Sequence, residues 1–163
     1  MEVAIFIGLQ AAGKTSFYRK HFAGTHSHVS KDLLRNSRSR QARQMALIDQ
    51  GLAMGKSVVV DNTNPRVEDR APIIALGKAF GARIVGYRFE ATVSECVRRN
   101  ARREGRARVP EIAIYATAGK FQPPIETEGF DLLYRVRLND GGFDVEPEPV
   151  QSSDLLSQAR MGQ

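Results

Sequence analysis

The sequence predicts an α/β fold: a doubly wound, mostly parallel sheet of five strands with helices on both faces. Two observations predict it. Apolar, β-branched runs alternate with longer segments of helical pattern, and a glycine-containing loop leads directly from the first run into the first helix. The hydrophobic content of 42% and the charged content of 26% are typical of a globular domain. We expect one domain over residues 1–138 and a mobile tail over 139–163.

The first half of the chain is predicted to contain three strands separated by helices. In order, the patterns indicate a buried strand over Val3–Gly8, a helix over 14–22, a short strand over 26–29, one long helix from Ser30 to Gly55, and a strand over Ser57–Asp61. Ser30 is expected to cap the long helix, because its hydroxyl can accept a hydrogen bond from a free backbone N–H group. Asn64 is expected to cap the next helix, with Pro65 in its first turn.

The second half is predicted to continue the alternation. A strand over 82–91 precedes the run TVSE at 92–95, which has the spacing of a capping box and starts an arginine-rich helix. Another helix is expected to begin at Pro110, and the fifth strand to lie over Phe130–Leu138. The residues from 139 onward are polar, acidic and proline-containing, which favours a mobile tail.

The loop after the first strand carries the pattern G-x-x-x-x-G-K-[ST], which is that of the phosphate-binding P-loop. It runs from Gly8 to Thr15, and its glycines permit the backbone conformations that aim successive N–H groups at phosphate oxygens. Lys14 is expected to lie between the β- and γ-phosphates of a nucleoside triphosphate, and the Thr15 hydroxyl to be a ligand of Mg²⁺. The flanking strand and helix favour this interpretation over a glycine turn that binds nothing. The predicted ATP-binding residues of the loop are Gly8, Leu9, Gln10, Ala11, Ala12, Gly13, Lys14, Thr15 and Ser16.

Composition and charge restrict the compartment and the partners. The single cysteine, Cys96, excludes an internal disulfide framework and fits a reducing compartment. The apolar stretch near the N-terminus is too short to span a membrane, so we expect a cytoplasmic protein without a membrane partner. The net charge of +6 and the isoelectric point near 9.8 suit a phosphate-rich partner, either a nucleotide or a nucleic acid. The arginines of 36–43, together with Arg98 and Arg102, are interpreted as solvated.

The motifs outside the loop favour a phosphotransferase among P-loop proteins. The chain lacks the Asn-Lys-x-Asp segment that reads guanine, and Asp61 is followed by Asn62-Thr63-Asn64 rather than by the Asp-x-x-Gly pattern of GTPases. It also lacks the Leu-Ser-Gly-Gly-Gln signature of transporter ATPases. A nucleotide loop, an acid after a strand and an arginine-rich segment are parts that phosphoryl transfer requires.

Five segments of the chain recur, in this order, in one group of enzymes. They are GLQAAGKTSF, HVSKDLLR, VVVDNTNP, RRNARR and VPEIAIYATAGKFQPPIETEGFD. Together they resemble the kinase domain of polynucleotide 5′-hydroxyl kinases, over about residues 3–138. Zeta-toxin-like and other small bacterial kinases share the P-loop and the acid. The resemblance implies a P-loop NTPase fold with an arginine-rich lid.

The resemblance also implies roles for residues outside the loop. Asp32 matches the general base that accepts the proton of the attacking hydroxyl, and Arg35 matches an arginine that grips a phosphate of the acceptor. Arg99 and Arg103 match lid arginines that bind ATP, and they are expected to share one helix face. Arg103 would in addition neutralise charge on the transferring phosphoryl group, which makes it a catalytic residue. Lys14 and Asp32 are the other two catalytic residues that the resemblance implies.

Asp61 follows a buried strand, at the edge where open α/β sheets bind their ligands. It is expected either to support the Mg²⁺ site or to organise the acceptor pocket. Two departures from the family pattern bear on these expectations. Ser30-Lys31 stand where Asn-Arg is usual before the base, which concerns the acceptor, and Ala12 replaces a Gly or Ser, which is tolerable without a positive φ.

The combined pattern predicts an ATP- and Mg²⁺-dependent kinase, with the 5′ end of DNA or RNA as its acceptor. Two alternatives stay open. One is a small-molecule kinase that acts on a nucleoside, a nucleotide sugar or an antibiotic. The other is an ATP-binding module without transferase activity, which would have little need for Asp32.

Overall fold

The computed structural model describes residues 1–149, and their centre is one six-stranded sheet. The strands are β1 (Glu2–Ile7), β2 (His26–Val29), β3 (Ser57–Val60), β4 (Arg83–Phe89), β5 (Leu132–Asn139) and β6 (Gly142–Pro147). Their order across the sheet is β2-β3-β1-β4-β5-β6. The first five strands are parallel and β6 runs antiparallel to β5. The predicted doubly wound, mostly parallel sheet is confirmed.

The helices cover both faces of the sheet. They are α1 (Lys14–His21), α2 (Arg40–Ala53), α3 (Val67–Ala79), α4 (Val93–Ala101) and α5 (Glu111–Gly119), with short 3-10 helices at Lys31–Leu34, Gly105–Ala107 and Glu126–Glu128. Alternation along β1 divides the core: Val3 and Ile5 pack with α2 and α3, whereas Ala4 and Phe6 pack with α1, α4 and α5. The central strand is therefore buried on both sides, which explains its continuous apolar run.

The predicted count of five strands is wrong, because β6 lies in the segment that was expected to be a mobile tail. A turn with Gly142 at φ +133° reverses the chain, and the N–H group of Gly141 donates to the Asn139 side-chain oxygen at 3.0 Å. Phe143 then packs edge-on against Phe17 of α1, with 5.1 Å between ring centroids. The remaining part of the predicted tail, from residue 150 onward, lies outside the described residues.

The single long helix predicted from Ser30 to Gly55 is also wrong. The segment folds as the 3-10 helix Lys31–Leu34, a loop, and then α2. Each piece has its own serine cap: Ser30 accepts from the N–H of Asp32, and Ser39 accepts from the N–H of Ala42. The hydroxyl of serine and the amide of asparagine form hydrogen bonds with nearby backbone groups, and these bonds compete with those of a helix. The polar stretch between the two pieces therefore does not continue the helix.

Asn64 does not cap the helix that follows it. The helix α3 begins at Val67, and its N-cap residue is Arg66. Asn64 is buried with φ +43°, and its side-chain amide donates to the Phe6 carbonyl of β1 at 2.7 Å. Its function is to hold the turn after β3 against the central strand.

No helix within residues 1–149 is both long enough and apolar enough to cross a bilayer.

Candidate active site

The predicted site residues come together at the carboxyl edge of the parallel strands. The P-loop follows β1, the segment with Asp32 follows β2, Asp61 follows β3, and the arginine-rich α4 follows β4. Because β2, β3, β1 and β4 are neighbours in the sheet, four separate loops converge on one region. This edge is where open α/β sheets bind ligands.

The P-loop has the backbone geometry that phosphate binding requires. Gly13 has φ +100° and Ala11 has φ +61°, so the left-handed residues stand on either side of Ala12. Ala12 itself needs no positive φ, which explains why an alanine is tolerated there. At Gly8 a Cβ atom would lie 2.8 Å from the Cβ of Phe89, so that position has no room for a side chain. The non-glycine left-handed conformation at Ala11 is a strained feature of the kind found at ligand sites.

Lys14 lies buried along the inside of the loop. Its side chain is 8% exposed, and its ammonium group donates to the carbonyl oxygens of Gly8 and Leu9. Burial lowers the pKa of Lys14 to about 8, although the negative charge of Asp61 acts in the opposite direction. A buried ammonium that is held by loop carbonyls alone is suited to a phosphate anion.

Thr15 and Asp61 form the part of the site that suits a hard cation. The Thr15 hydroxyl donates to a carboxylate oxygen of Asp61 at 2.8 Å, which brings two oxygen ligands side by side. Mg²⁺ bound with a nucleotide uses one or two protein oxygens and takes its other ligands from water and phosphate. The described residues hold no cluster of three or more His, Cys, Asp or Glu side chains that could bind a metal alone. The pair therefore fits a metal ion that arrives with phosphate.

His28 supports Asp61 from the neighbouring strand, a contact that the sequence did not predict. Its Nε2 atom lies 2.9 Å from the carboxylate oxygen that also accepts from Thr15. The imidazole stacks on Tyr18 of α1, with 3.9 Å between ring centroids and an interplanar angle of 12°. Asp61 is thus held by two partners. The contact with His28 could be predicted only if β2 were known to lie beside β3.

Asp32 and Arg35 lie at the two ends of one 3-10 turn. Residues three apart on such a helix are eclipsed, so the two side chains belong to the same side of the segment. Arg35 donates from Nε to the carbonyl of Asp32 at 3.1 Å and from a terminal nitrogen to the carbonyl of Arg106 at 3.4 Å. Both side chains line an open cleft of about 670 Å³ that Arg106 also borders. The cleft separates the segment after β2 from the segment after α4.

Asn62 and Gln44 anchor the segment that carries Asp32. The Asn62 side chain accepts from the N–H of Lys31 at 2.8 Å and donates to the Gln44 side chain at 2.7 Å. Gln44 is buried in α2. Neither residue was predicted to contribute to the site, although Asn62 belongs to the DNTNP segment that was singled out.

The lid arginines do not share one helix face, contrary to the prediction. The helix α4 ends at Ala101, so Arg99 is helical and Arg103 lies in the loop beyond it, where it donates to the carbonyl of Ala107 at 3.3 Å. Asn100 holds this loop through two hydrogen bonds to the backbone of Val109. The buried Asn100 thus ties the last turn of α4 to the chain beyond Arg103.

Arg99 provides the clearest sign of a missing anionic partner. One terminal nitrogen of its guanidinium is buried, and no atom of residues 1–149 accepts a hydrogen bond from it. Leaving a buried charged donor without a partner is costly. A phosphate oxygen would satisfy it, which fits the predicted ATP contact.

Gln10 differs from the other predicted loop residues in the direction of its side chain. Its amide donates to the Thr117 hydroxyl of α5 at 3.0 Å, so the side chain is turned away from the phosphate loop. Its backbone remains part of the loop. Ser16 is exposed in the first turn of α1.

Comparison with known proteins gives a family and several relatives. A family model described as an AAA domain, AAA_33, matches residues 3–124. The bifunctional polynucleotide phosphatase/kinase of Schizosaccharomyces pombe is 26% identical over 133 residues, which cover 79% of this chain and 32% of that protein. This chain thus spans about a third of the length of that relative. The resemblance to polynucleotide kinases is confirmed by this match.

Solved structures share the fold at low identity. Kti12 of Chaetomium thermophilum, in complex with ADP-AlF3, has a TM-score of 0.65 and 15% identity, with 85% of this chain and 90% of that chain covered. A gluconokinase from Sinorhizobium meliloti has a TM-score of 0.57 and 16% identity, with 82% of each chain covered. These likenesses establish the P-loop α/β fold.

Proposed function

This chain belongs to the AAA_33 family, whose model spans its P-loop, Asp61 and the whole segment from Arg99 to Val109, and we propose that it transfers the γ-phosphate of ATP to the 5′-hydroxyl of a polynucleotide. Phosphotransfer from ATP is what the family and the P-loop support. The polynucleotide acceptor is the further step of the proposal. One observation carries it: a carboxylate, Asp32, and a guanidinium, Arg35, share a cleft beside the P-loop edge of the sheet.

The donor half of the proposal uses the P-loop and the lid. The backbone of Gly8–Thr15 would bind the phosphates of ATP, and Lys14 would lie between the β- and γ-phosphates. Thr15, supported by Asp61, would hold Mg²⁺, which supplies charge neutralisation on the phosphate oxygens when it is bound. Arg99 and Arg103 would contact the phosphate oxygens from the opposite side.

The acceptor half uses Asp32. Its carboxylate accepts the proton of the acceptor hydroxyl while the hydroxyl oxygen forms a bond to the γ-phosphorus. The bond between that phosphorus and the bridging oxygen breaks, and ADP leaves with the electron pair. Asp32 is exposed, so it can reach an acceptor in the cleft, and its backbone N–H is fixed by Ser30.

Arg35 is what favours a phosphate-bearing acceptor. Its guanidinium lies one 3-10 turn from Asp32 and would bind the phosphate next to the reacting hydroxyl. The relative from Schizosaccharomyces pombe is described as a polynucleotide phosphatase/kinase, which supports the same acceptor. Within residues 1–149 Arg35 forms no ion pair, so it is available to a ligand.

A small-molecule kinase is the second candidate. The fold of this chain is also that of a gluconokinase, and the cleft volume of about 670 Å³ is in the range of pockets for small ligands. This candidate predicts that sugars or nucleosides react as well as oligonucleotides. The two candidates share the donor site and differ only in the acceptor.

The proposed function is tested by incubating the protein with γ-labelled ATP, Mg²⁺ and a panel of acceptors. The panel contains 5′-hydroxyl oligonucleotides, a nucleoside 3′-monophosphate, free nucleosides and gluconate. We expect label at the 5′ end of the phosphate-bearing acceptors, and a loss of that preference in Arg35→Ala. Arg83→Ala is the matched control, because Arg83 is exposed at the start of β4, at the opposite edge of the sheet. Equal use of nucleosides, sugars and oligonucleotides would support the small-molecule candidate instead.

Asp32→Asn separates a kinase from a module that only binds ATP. The amide retains the shape of the side chain but does not accept the proton, so transfer should fall about 10²–10⁴-fold while ATP affinity changes little. Asp49→Asn is the matched control, since Asp49 is an exposed acid on α2 with no predicted role. An equal loss of ATP affinity would place Asp32 in the nucleotide site, and transfer at the wild-type rate would exclude it as the base.

A further inference from the structure

The two arginine-rich runs of the sequence meet at the acceptor cleft. Arg35 lies at the end of the 3-10 helix after β2, Arg43 lies in the second turn of α2, and Arg106 lies in the 3-10 helix after α4. All three line the same cleft as Asp32. Residues that are 71 positions apart in the chain are thus joined directly, since Arg35 donates to the carbonyl of Arg106. The solvated helix face expected for 36–43 therefore includes a residue that borders the site.

The charge of the cleft is not balanced by the protein. Three guanidinium groups face one carboxylate, Asp32, and in the part of the chain that the structure describes none of the three is in an ion pair. The cleft therefore suits an anionic ligand.

The cleft also has an apolar side. Leu33 is 67% exposed and Leu34 is half-buried, and both line the cleft beside the arginines. A row of anion-binding groups next to an apolar surface suits a nucleic acid strand, which carries both phosphates and bases with flat faces. A sugar or a free nucleoside would use only part of this surface.

We propose that Arg43 and Arg106 bind the second and later phosphates of the acceptor, so that 5′-hydroxyl oligonucleotides with at least two phosphates are its preferred substrates. This inference rests on the proposed function, in which Arg35 holds the first phosphate. A guanidinium can bind a phosphate through two parallel hydrogen bonds, and phosphate contacts release counterions from the strand. The two arginines would therefore add affinity with increasing acceptor length.

The test compares acceptors of different length at several salt concentrations. For a nucleoside 3′-monophosphate and a tetranucleotide, kcat/KM is measured in the wild-type protein, Arg43→Ala, Arg106→Ala and Arg43→Lys, with Arg83→Ala as the matched control. In the wild-type protein we expect kcat/KM for the tetranucleotide to be about 100-fold higher than for the monophosphate. In each alanine variant this ratio should be about tenfold smaller. The slope of log kcat/KM against log salt for the tetranucleotide, which is negative, should become shallower by about 0.7 in each alanine variant. Arg43→Lys should retain the salt slope, because it retains the charge.

Three results would overturn the inference. The first is a ratio near one in the wild-type protein, and the second is an unchanged ratio in both alanine variants; each leaves the proposed function intact if 5′ label is still transferred. The third is the absence of label on any 5′-hydroxyl acceptor, which overturns the proposed function and the inference together. Because Arg43 and Arg106 are exposed, circular dichroism of the variants should match the wild-type spectrum.

Discussion

At the scale of single residues, Lys14 is the clearest case of a group held for a ligand. Its ammonium is buried against carbonyls, and its pKa is lowered to about 8 by that burial. In Lys14→Ala we expect phosphate transfer to fall by about 10²–10³-fold, since a cation between the phosphates is lost. The free energy of unfolding without ATP should not fall in parallel, because the variant no longer buries an ammonium group. Labelled phosphate transfer and urea denaturation measure the two effects.

Near-normal transfer in Lys14→Ala would contradict the P-loop assignment. Lys20→Ala is the matched control, as Lys20 is an exposed lysine in the last turn of the same helix. A large loss of stability in Lys14→Ala would instead make Lys14 a structural residue of the loop.

His28 is expected to act as a positioning residue for Asp61. Its Nε2 atom contacts the carboxylate oxygen that accepts from Thr15, so His28→Ala should let the carboxylate move and raise the Mg²⁺ concentration needed for half-maximal transfer by about tenfold. His28→Gln places an amide nitrogen near the same point and should recover part of the loss. A Mg²⁺ titration of transfer at saturating ATP measures both. A variant with lowered kcat but an unchanged Mg²⁺ requirement would show that His28 does not act through Asp61.

The sequence was sufficient to nominate candidate residues that the fold brings to one edge of the sheet, but not to predict their supporting contacts. Lys14 and Thr15 follow from a local motif, and Asp32 and Asp61 follow from segments that are short and continuous. The contacts of His28 with Asp61 depend on β2 lying beside β3, which no local pattern specifies. Supporting residues are therefore fixed by the order of strands in space rather than by spacing along the chain.

At the scale of elements, a buried ion pair joins two of the segments that carry the family resemblance. Arg70 of α3 and Glu128 have side chains that are 0% and 2% exposed, and their atoms approach to 2.7 Å. A terminal nitrogen of Arg70 also donates to the carbonyls of Asn64 and Gln122. The DNTNP segment and the segment before β5 are thus connected through one guanidinium. Both segments therefore have a structural role.

Breaking this pair should destabilise the protein strongly. Glu128→Gln leaves the Arg70 guanidinium buried without a countercharge, and we expect a loss of about 3–5 kcal/mol in the free energy of unfolding. The double variant Arg70→Met, Glu128→Leu removes both charges and should be less destabilised than the sum of the losses in Arg70→Met alone and Glu128→Leu alone. Urea denaturation of the wild-type protein, these two single variants and the double variant gives the coupling. Additive losses would mean that the two residues contribute independently.

Element boundaries were predicted well at the Thr92–Glu95 capping box and poorly at Ser39 and Asn64. The capping box of Thr92 and Glu95 is present as predicted, with both reciprocal hydrogen bonds. The break before α2 was missed, because a second serine cap inside a helical pattern looks like a continuing helix. The strand β6 was missed because its exposed acidic residues suggest a solvated tail, whereas Glu146 pairs with Arg135 on β5. An edge strand needs only one apolar face, here that of Phe143.

At the scale of the whole molecule, the fold brings an anion-binding donor site and a basic acceptor cleft to one edge of the sheet. The segment from Arg99 to Val109 has its two ends joined by hydrogen bonds between Asn100 and Val109, and it carries Arg106, which lines the cleft. Arg99 has a buried nitrogen that no atom among the first 149 residues satisfies. Binding of ATP should therefore stabilise this segment against local unfolding more than it stabilises the sheet.

We expect a non-hydrolysable ATP analogue with Mg²⁺ to slow amide hydrogen exchange over residues 102–109 selectively. A phosphate oxygen that accepts from Arg99 would hold the end of α4, and the loop beyond it is tied to that end through Asn100. At an analogue concentration of 100 times Kd, global stability should rise by about 2.7 kcal/mol. Arg99→Met should still bind the analogue through the P-loop but lose the selective protection of the loop. Arg98→Met is the matched control, because Arg98 is exposed on the same helix. Uniform protection over all described residues in the wild-type protein, or unchanged loop protection in Arg99→Met, would show that this segment does not close on the nucleotide through Arg99.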